Sequence, residues 1–497
     1  MTQATENIYG PSLPMPKVLK ILSLLDVRSY KSFLKYLDSP YLNTNRKLLD
    51  FATYLFKYHP EFAHKNLKKE NLDQFLFPGT SYNRKRITDY LSDLNRKLDF
   101  FLKLETLKQS ADLQRRVLID SYDSPGFYEL FKKEIKKNTE QLKDEKVKGP
   151  NRYRLVAEFG EKLLFHPEFF GKKNDEEHVL LMEVMENLDM DFTFSKLRLI
   201  TFYFSKRQFL TAEYSPNYLD SVLELSATLF KDKHVGFKLY LDLIALQKTS
   251  GNHKLFKEVS VLFFDNSEHL SVSDKKNIFI CLANYCVQAI NPGLEGFSYH
   301  DLLILYDSAL SCNILMHNGQ LSDSTFNNVV VAAIRASKID YANSFMEENK
   351  QFLGDNIRMT AFSYCKASVC YAQKQYDEAI SWLNGANRHS EIRYKVQWRY
   401  LLVKIYFEKF EKGGWATYEL LESFLDAFSV FLRRNEELSH EKKAGYLEFI
   451  RFTKQLMKLY PKNWTEKKSL DQLKASITAS RAIGRQWLLG LIEKAES

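Results

Sequence analysis

Between Pro216 and Pro461 the chain has a single proline, Pro292. Proline removes a backbone donor and breaks helices and central strands alike, so a tract this poor in it can run through helix after helix. The whole chain is sparing with turn residues: its 497 residues hold 18 Gly and 12 Pro against 37 Phe and 28 Tyr. That balance excludes β-sandwiches, doubly wound folds with glycine loops, collagen and linker-rich chains. It suits long helices joined by short turns. At 45% hydrophobic and 27% charged, the chain has the composition of a folded protein.

Apolar residues recur at helical spacing almost everywhere. Tyr394, Trp398, Leu401, Leu402 and Ile405 follow i, i+4, i+7, i+8, i+11. Leu420, Phe424, Ala427, Phe428 and Phe431 repeat the pattern. Ser124-Pro125 and Ser215-Pro216 offer an N-cap followed by proline in the first turn, and Ser273-Asp274 and Ser439 open later helices. The β-branched run at residues 329–334 reads as buried helix. These signals predict an all-α chain in three parts. Residues 1–150 form a basic N-terminal helical domain, with helices at 17–37, 45–58, 69–77 and 83–108 and a charged connecting helix at 127–146. The segment Lys146-Val147-Lys148-Gly149-Pro150-Asn151 is the boundary. Residues 151–460 alternate short helices with short turns, the pattern of a right-handed α-solenoid of stacked helix pairs. Residues 461–497 supply capping helices near 466–477 and 480–495.

The net charge of +9 is uneven. Residues 1–150 carry 27 Lys and Arg against 19 Asp and Glu, residues 151–450 carry 34 against 39, and residues 451–497 carry 10 against 4. Basic ends around an acidic middle suit either solvated lysine-rich helices or contact with an anionic partner. The five cysteines, Cys281, Cys286, Cys312, Cys365 and Cys370, are odd in number and sparse, which points to buried thiols in a reducing compartment. The start, MTQATENIYGPSLPMPK, has no apolar signal core, and no apolar stretch reaches the ~18 residues a membrane helix needs. The expectation is a cytoplasmic protein without membrane insertion.

Residues 361–386 resemble a tetratricopeptide repeat. Tyr376, Asp377, Glu378, Ala379, Leu383 and Ala386 stand where that family places its aromatic, acidic pair, small, large apolar and second small residues. Tyr364, Ala367, Ser368 and Tyr371 fit the preceding helix, and Lys374-Gln375 replaces the turn glycine. Residues 339–345 look like the second half of an earlier repeat. Residues 39–43, 399–406, 431–435 and 486–489 make the whole chain similar to a group of long bacterial helical-repeat proteins. The resemblance implies a peptide- or protein-binding solenoid without catalytic chemistry.

No H-E-x-x-H, phosphate loop, nucleophile elbow or dinucleotide fingerprint is present. Phe170-Gly171-Lys172-Lys173 lacks an upstream glycine, and Asp175-Glu176-Glu177-His178 reads as a solvated acidic helix start. The expectation is no enzyme, no metal and no cofactor. Two basic sets remain. Arg84, Lys85, Arg86, Arg96 and Lys97, interleaved with Tyr82, Tyr90, Phe100 and Phe101, could contact nucleic acid or an acidic partner. Asp89, Asp93 and Asp99 punctuate the same helix, and Asp89 is placed to pair with Arg86. Arg393, Arg399, Lys404, Arg433 and Arg434 could grip an acidic peptide or a terminal carboxylate. The functional expectation is a protein- or peptide-binding scaffold or adaptor. The alternative is a nucleic-acid-associated regulator with a basic N-terminal unit and a repeat-type sensor or dimerisation domain.

Overall fold

The computed structural model describes residues 15–169, 175–206, 215–385, 391–413, 415–459 and 467–496. Their regular structure is helical apart from one hairpin with two residues in each strand, and they divide into two compact units. The first unit is Met1–Lys143 with Lys162–Lys172, and the second is Asp144–Glu161 with Lys173–Ser497.

The first unit contains α1 (Lys17–Leu24), α2 (Val27–Asp38), α3 (Arg46–Phe56), α4 (Lys69–Leu76), α5 (Arg84–Gln109), α6 (Ala111–Tyr122) and α7 (Tyr128–Asp144). Helices α1 to α4 all pack on α5. The reason is its apolar stripe: Ile87, Leu91, Leu94, Leu98 and Phe101 recur every three or four residues and are buried. They meet Leu19, Leu22, Phe33, Leu48 and Phe51 in one core. The helix expected over 17–37 is two helices. Asp26 caps the second one by accepting the Ser29 N–H at 2.6 Å, and that contact holds the Asp26 carboxyl below its usual range. Asn43 then ties the next loop, donating to the carbonyls of Leu37 at 2.8 Å and Asn45 at 3.0 Å. Ser124-Pro125 lies in a turn and the following helix begins at Tyr128, so the proline is not a first-turn residue there.

The second unit begins in α8 (Pro150–Leu164) and continues with α9 (Asp175–Lys206), α10 (Leu219–Leu225), α11 (Val235–Lys248), α12 (His253–Asp265), α13 (Val272–Ile290) and α14 (Tyr299–Ser311). Ser215-Pro216 again precedes a turn, and α10 starts after Tyr218. After α14, β1 (Met316–His317) and β2 (Gln320–Leu321) pair antiparallel across Asn318-Gly319. Both turn residues have positive φ, 50° and 75°, which Asn and Gly tolerate and a two-residue hairpin requires. Then follow α15 (Asp323–Arg335), α16 (Ile339–Asn349), α17 (Arg358–Ala372), α18 (Tyr376–Gly385), α19 (Ile392–Gly413), α20 (Trp415–Arg434), α21 (His440–Leu459), α22 (Lys467–Ala479) and α23 (Arg485–Glu496). The β-branched run at 329–334 lies inside α15, as expected of buried helix.

From α14 to α21, successive helices pack on one another, and α15 with α17 and α17 with α19 also touch. In α17, α18 and the turn between them, Ala379 and Leu383 are buried and Lys374 takes the left-handed turn conformation at φ 63°. Ala386 lies outside the described residues, as does the segment 170–173. Close approach elsewhere depends on Gly236, where a Cβ would meet the Phe194 ring at 2.6 Å. Phe194 in turn meets Phe237 and Tyr240 edge-on. Helix α19 is apolar on two faces: Tyr394, Trp398, Leu401, Leu402 and Ile405 join the core that starts at Tyr153. Val396, Val403, Phe407 and Phe410 join a second core with α20 to α23. The C-terminal helices therefore share a core with α19.

Candidate functional site

The basic segment of α5 separates into anchored and free cations. Asn83 caps the helix by accepting the Arg86 N–H at 3.1 Å. Arg86 does not pair with Asp89. Its fork donates to Asp73, Nε to Oδ1 at 2.9 Å and Nη2 to Oδ2 at 2.7 Å, while its guanidinium lies 4.2 Å from the Phe77 ring centroid. Asp73 is buried, and the bidentate contact with Arg86 holds its carboxyl below the usual range. Lys97 donates to the Leu42 carbonyl, and Arg96 pairs with Asp93. Arg86 and Lys97 join α5 to its surroundings, whereas the Arg96 pair lies within the helix. Arg84 and Lys85 are exposed and make no ion pair among the described residues. Arg84 and Arg96 line a groove of about 860 Å³ with Lys68 and Tyr82, floored by Val18 and Leu91.

The second basic set does not converge. Arg393 is tied to Asp323, which also accepts the Tyr394 hydroxyl at 2.9 Å. Asn327 donates to Tyr394 Oη at 3.1 Å and accepts from the Cys365 thiol at 2.9 Å, so α15, α17 and α19 share one buried polar chain. Arg399 stacks 4.0 Å from the Phe431 ring centroid and donates to the Lys395 carbonyl at 2.8 Å, and burial lowers its pKa. Arg433 and Arg434 sit in the last turn of α20, where a cation meets the negative end of the helix dipole. Arg433 borders a shallow groove beside Asp426 and Glu448. Lys404 lines a second pocket, open to solvent, and its companions there, Arg335, Arg481 and Arg485, were not among the residues the sequence singled out.

Sequence reasoning also passed over the outer face of α9. Leu181, Met185, Leu188, Phe192, Leu199 and Phe202 follow alternating steps of four and three, with Ser195 completing the series. All six are exposed, by 38% to 60%, while Val184, Met190, Phe194, Leu197 and Ile200 are buried on the opposite side. Val179 and Met182 extend the exposed strip. The spacing is legible in the sequence, where it does not differ from the core stripes of the other helices. The charges on α9 are polarised. Glu183, Glu186, Asp189 and Asp191 precede the midpoint of the strip, and Lys196, Arg198 and Lys206 follow it. Glu186 pairs with Lys233, Asp191 with Arg154, and Arg198 lies 4.0 Å from Asp274. Asp189 and Lys196 make no ion pair among the described residues.

One constellation has hydrolase residue types in a different arrangement. Asp301 accepts from Ser298 Oγ at 2.7 Å and contacts His253 Nε2 at 3.2 Å. The serine donates to the carboxylate and not to the imidazole, and Ser298 with Asp301 forms the capping box of α14. Cys281, Cys286, Cys365 and Cys370 are buried and Cys312 is exposed; burial pushes the Cys281 thiol up to about 11. Among the described residues, no three His, Cys, Asp or Glu side chains gather where they could hold a metal ion, and no helix is long and apolar enough to cross a membrane. Comparison with known protein families, with curated proteins and with solved structures yields no match.

Proposed function

We propose that the protein is a non-enzymatic, cytoplasmic scaffold that binds a helix of a protein partner along the outer face of α9. In this reading, the helix pairs of the second unit stack as a tetratricopeptide-like, right-handed solenoid. The supporting observation is the strip itself: six large apolar side chains at heptad spacing, exposed on a helix that runs for 32 residues. Contiguous exposed apolar surface of this kind marks interaction sites, and heptad spacing suits helix-on-helix contact. The charge polarity of α9 selects the partner. Two copies of α9 laid antiparallel about residues 193–194 set Leu188 against Leu199, Met185 against Phe202, and Asp189 against Arg198. A second copy of this chain is therefore the partner to test first.

Sedimentation of the full chain is expected to show a dimer that the double substitution Leu188→Asp/Phe192→Asp dissociates without loss of helicity. A photo-crosslinker at Val179 should capture the same partner. A wild-type protein that stays monomeric at high concentration, with no crosslinked partner that the double variant loses, sinks the reading.

The second reading is contact between the groove beside α5 and an acidic chain, either a peptide or nucleic acid. It is supported by the unpaired Arg84 and Lys85 at the start of α5. Nucleic acid would show as a gel shift that weakens steeply with salt, because each neutralised phosphate releases counterions. An acidic peptide would bind with a shallower salt slope.

A further inference from the structure

Lys404 is nine-tenths buried, with 9% of its surface exposed. Its ammonium makes no hydrogen bond and no ion pair among the described residues. It lies 4.3 Å from the Tyr400 ring centroid and 5.7 Å from that of Trp487, both within cation–π range. Ring faces replace only part of the water a buried ammonium gives up. Burial and the neighbouring Arg335 guanidinium both disfavour its charged form and bring its pKa down to about 7. The nearest acid on its own helix, Glu408, accepts from Tyr376 at 3.3 Å.

The cavity that Lys404 lines holds about 400 Å³, within the ~300–1,000 Å³ of small-molecule sites. Arg335, from the end of α15, Arg481, just before α23, and Arg485, its first residue, complete its rim. Arg485 is steadied by the carbonyls of Thr478 at 3.3 Å and Ser480 at 3.4 Å. The 12-residue helix α23 begins at this cavity, and the N–H groups of a helix's first turn have no intrahelical acceptor. Gly484 makes the approach possible. Its φ is +79°, and a Cβ there would stand 2.3 Å from Tyr400 Oη. A lone ammonium on a nine-tenths-buried side chain, three guanidinium groups and a helix N-terminus thus face one space with no carboxylate among its lining residues.

The geometry points to a binding site for the phosphate group of a small molecule, with Lys404 at the floor, Arg335, Arg481 and Arg485 at the rim, and the first turn of α23 as a further donor set. Arginine forks and helix N-termini match phosphate oxygens, and a dianion would supply the counter-charge that Lys404 lacks. The volume exceeds that of inorganic phosphate, so a phosphate ester fills it better. The site shares no residue with the outer face of α9.

The titratable and charged groups around Lys404 are Tyr400 and Glu408 on its own helix, Tyr371 on α17, Tyr446 on α21, the three arginines, and Glu448 on α21, which accepts the Arg481 N–H at 3.1 Å. Burial raises the pKa of all three tyrosines above the ordinary value, so Lys404 is the group that changes charge between pH 6.5 and 8.5.

Calorimetric titration of the full chain should test this with inorganic phosphate, glycerol phosphate, sulfate and succinate. Glycerol phosphate is expected to bind more tightly than inorganic phosphate, and both more tightly than succinate. Lys404→Met should weaken binding about tenfold or more at pH 6.5, as loss of a charged hydrogen-bond donor does. Arg485→Gln, on an exposed residue whose change leaves the core intact, should weaken it several-fold. Sulfate keeps its charge across this range, so its affinity isolates the protein's own titration, and it should fall about tenfold from pH 6.5 to 8.5. Absence of binding by both phosphates and sulfate, unchanged affinity in Lys404→Met, or succinate binding as tightly as glycerol phosphate would overturn the assignment.

Discussion

Helices α5 and α19 carry basic sets that look alike in sequence, and the fold treats them in opposite ways. On α5, Arg86 is gripped by Asp73 and Lys97 by the Leu42 carbonyl, contacts that join the helix to its surroundings, while Arg96 pairs with Asp93 within the helix. On α19, Arg393 is held by Asp323, but Arg399 rests on an aromatic ring and Lys404 faces a cavity. Composition does not separate the two. What separates them is whether another element delivers a carboxylate. A cation with a delivered partner is part of the frame; a buried cation without one is a vacancy for an anion.

Three substitutions sharpen that contrast, in falling order of effect. Arg86→Met leaves the buried Asp73 carboxylate unpaired, and it should lower the melting temperature of the first unit by about 5 °C or more. The folded-state pKa of Asp73 is depressed, so the stabilisation from this pair is present above the unfolded value, near 3.8, and lost as pH falls below it. The deficit of Arg86→Met should therefore be full at pH 7 and shrink below pH 4, in melts read by circular dichroism. A deficit that persists unchanged at pH 3 would refute the pairing.

Lys404→Met should act in the other direction. Its ammonium has a folded-state pKa of about 7 against 10.5 for a solvated lysine, so the unfolded chain binds the extra proton between these values. Wild-type stability should then rise with pH from 7 towards 10.5, and the charge penalty should be full below 7. Methionine removes both, so the variant should be more stable than wild type at pH 6 by roughly 2–4 kcal/mol and lack that part of the pH slope. Denaturant titrations at pH 6 and 9 would decide this, and equal slopes in both proteins would count against it.

The smallest effect belongs to Arg84→Gln/Lys85→Gln. Both side chains are exposed and unpaired, so stability should change by less than about 0.5 kcal/mol. Any loss should appear only in the salt slope of binding to an acidic peptide or to nucleic acid.

Much of the fold was legible from spacing. The stripe of residues 83–108 became α5, the stripe through Tyr394 and Ile405 became one face of α19, and the β-branched run became α15. The misses have local causes. The apolar pattern of residues 17–37 runs through the break at Asp26, which only its capping bond reveals. Helix α6 has a short apolar face with Ile119 alone buried, and it was left unassigned. The hairpin carried an Asn-Gly turn but only two residues in each strand. The pocket was beyond reach for a different reason. Lys404 was singled out, yet Arg335 and Arg481 lie far from it along the chain, and nothing in their own segments marks them as neighbours. The buried ammonium becomes evident only when the residues that fail to neutralise it are known.

That unneutralised amine has a chemical consequence. At pH 7 roughly half of Lys404 would be unprotonated, against roughly one in three thousand for an ordinary lysine. Only the free base attacks an acylating reagent or an aldehyde. Lys404 is therefore the lysine that a small reagent able to enter the cavity would label first at neutral pH. Whatever occupies the cavity would declare itself by the label it keeps out.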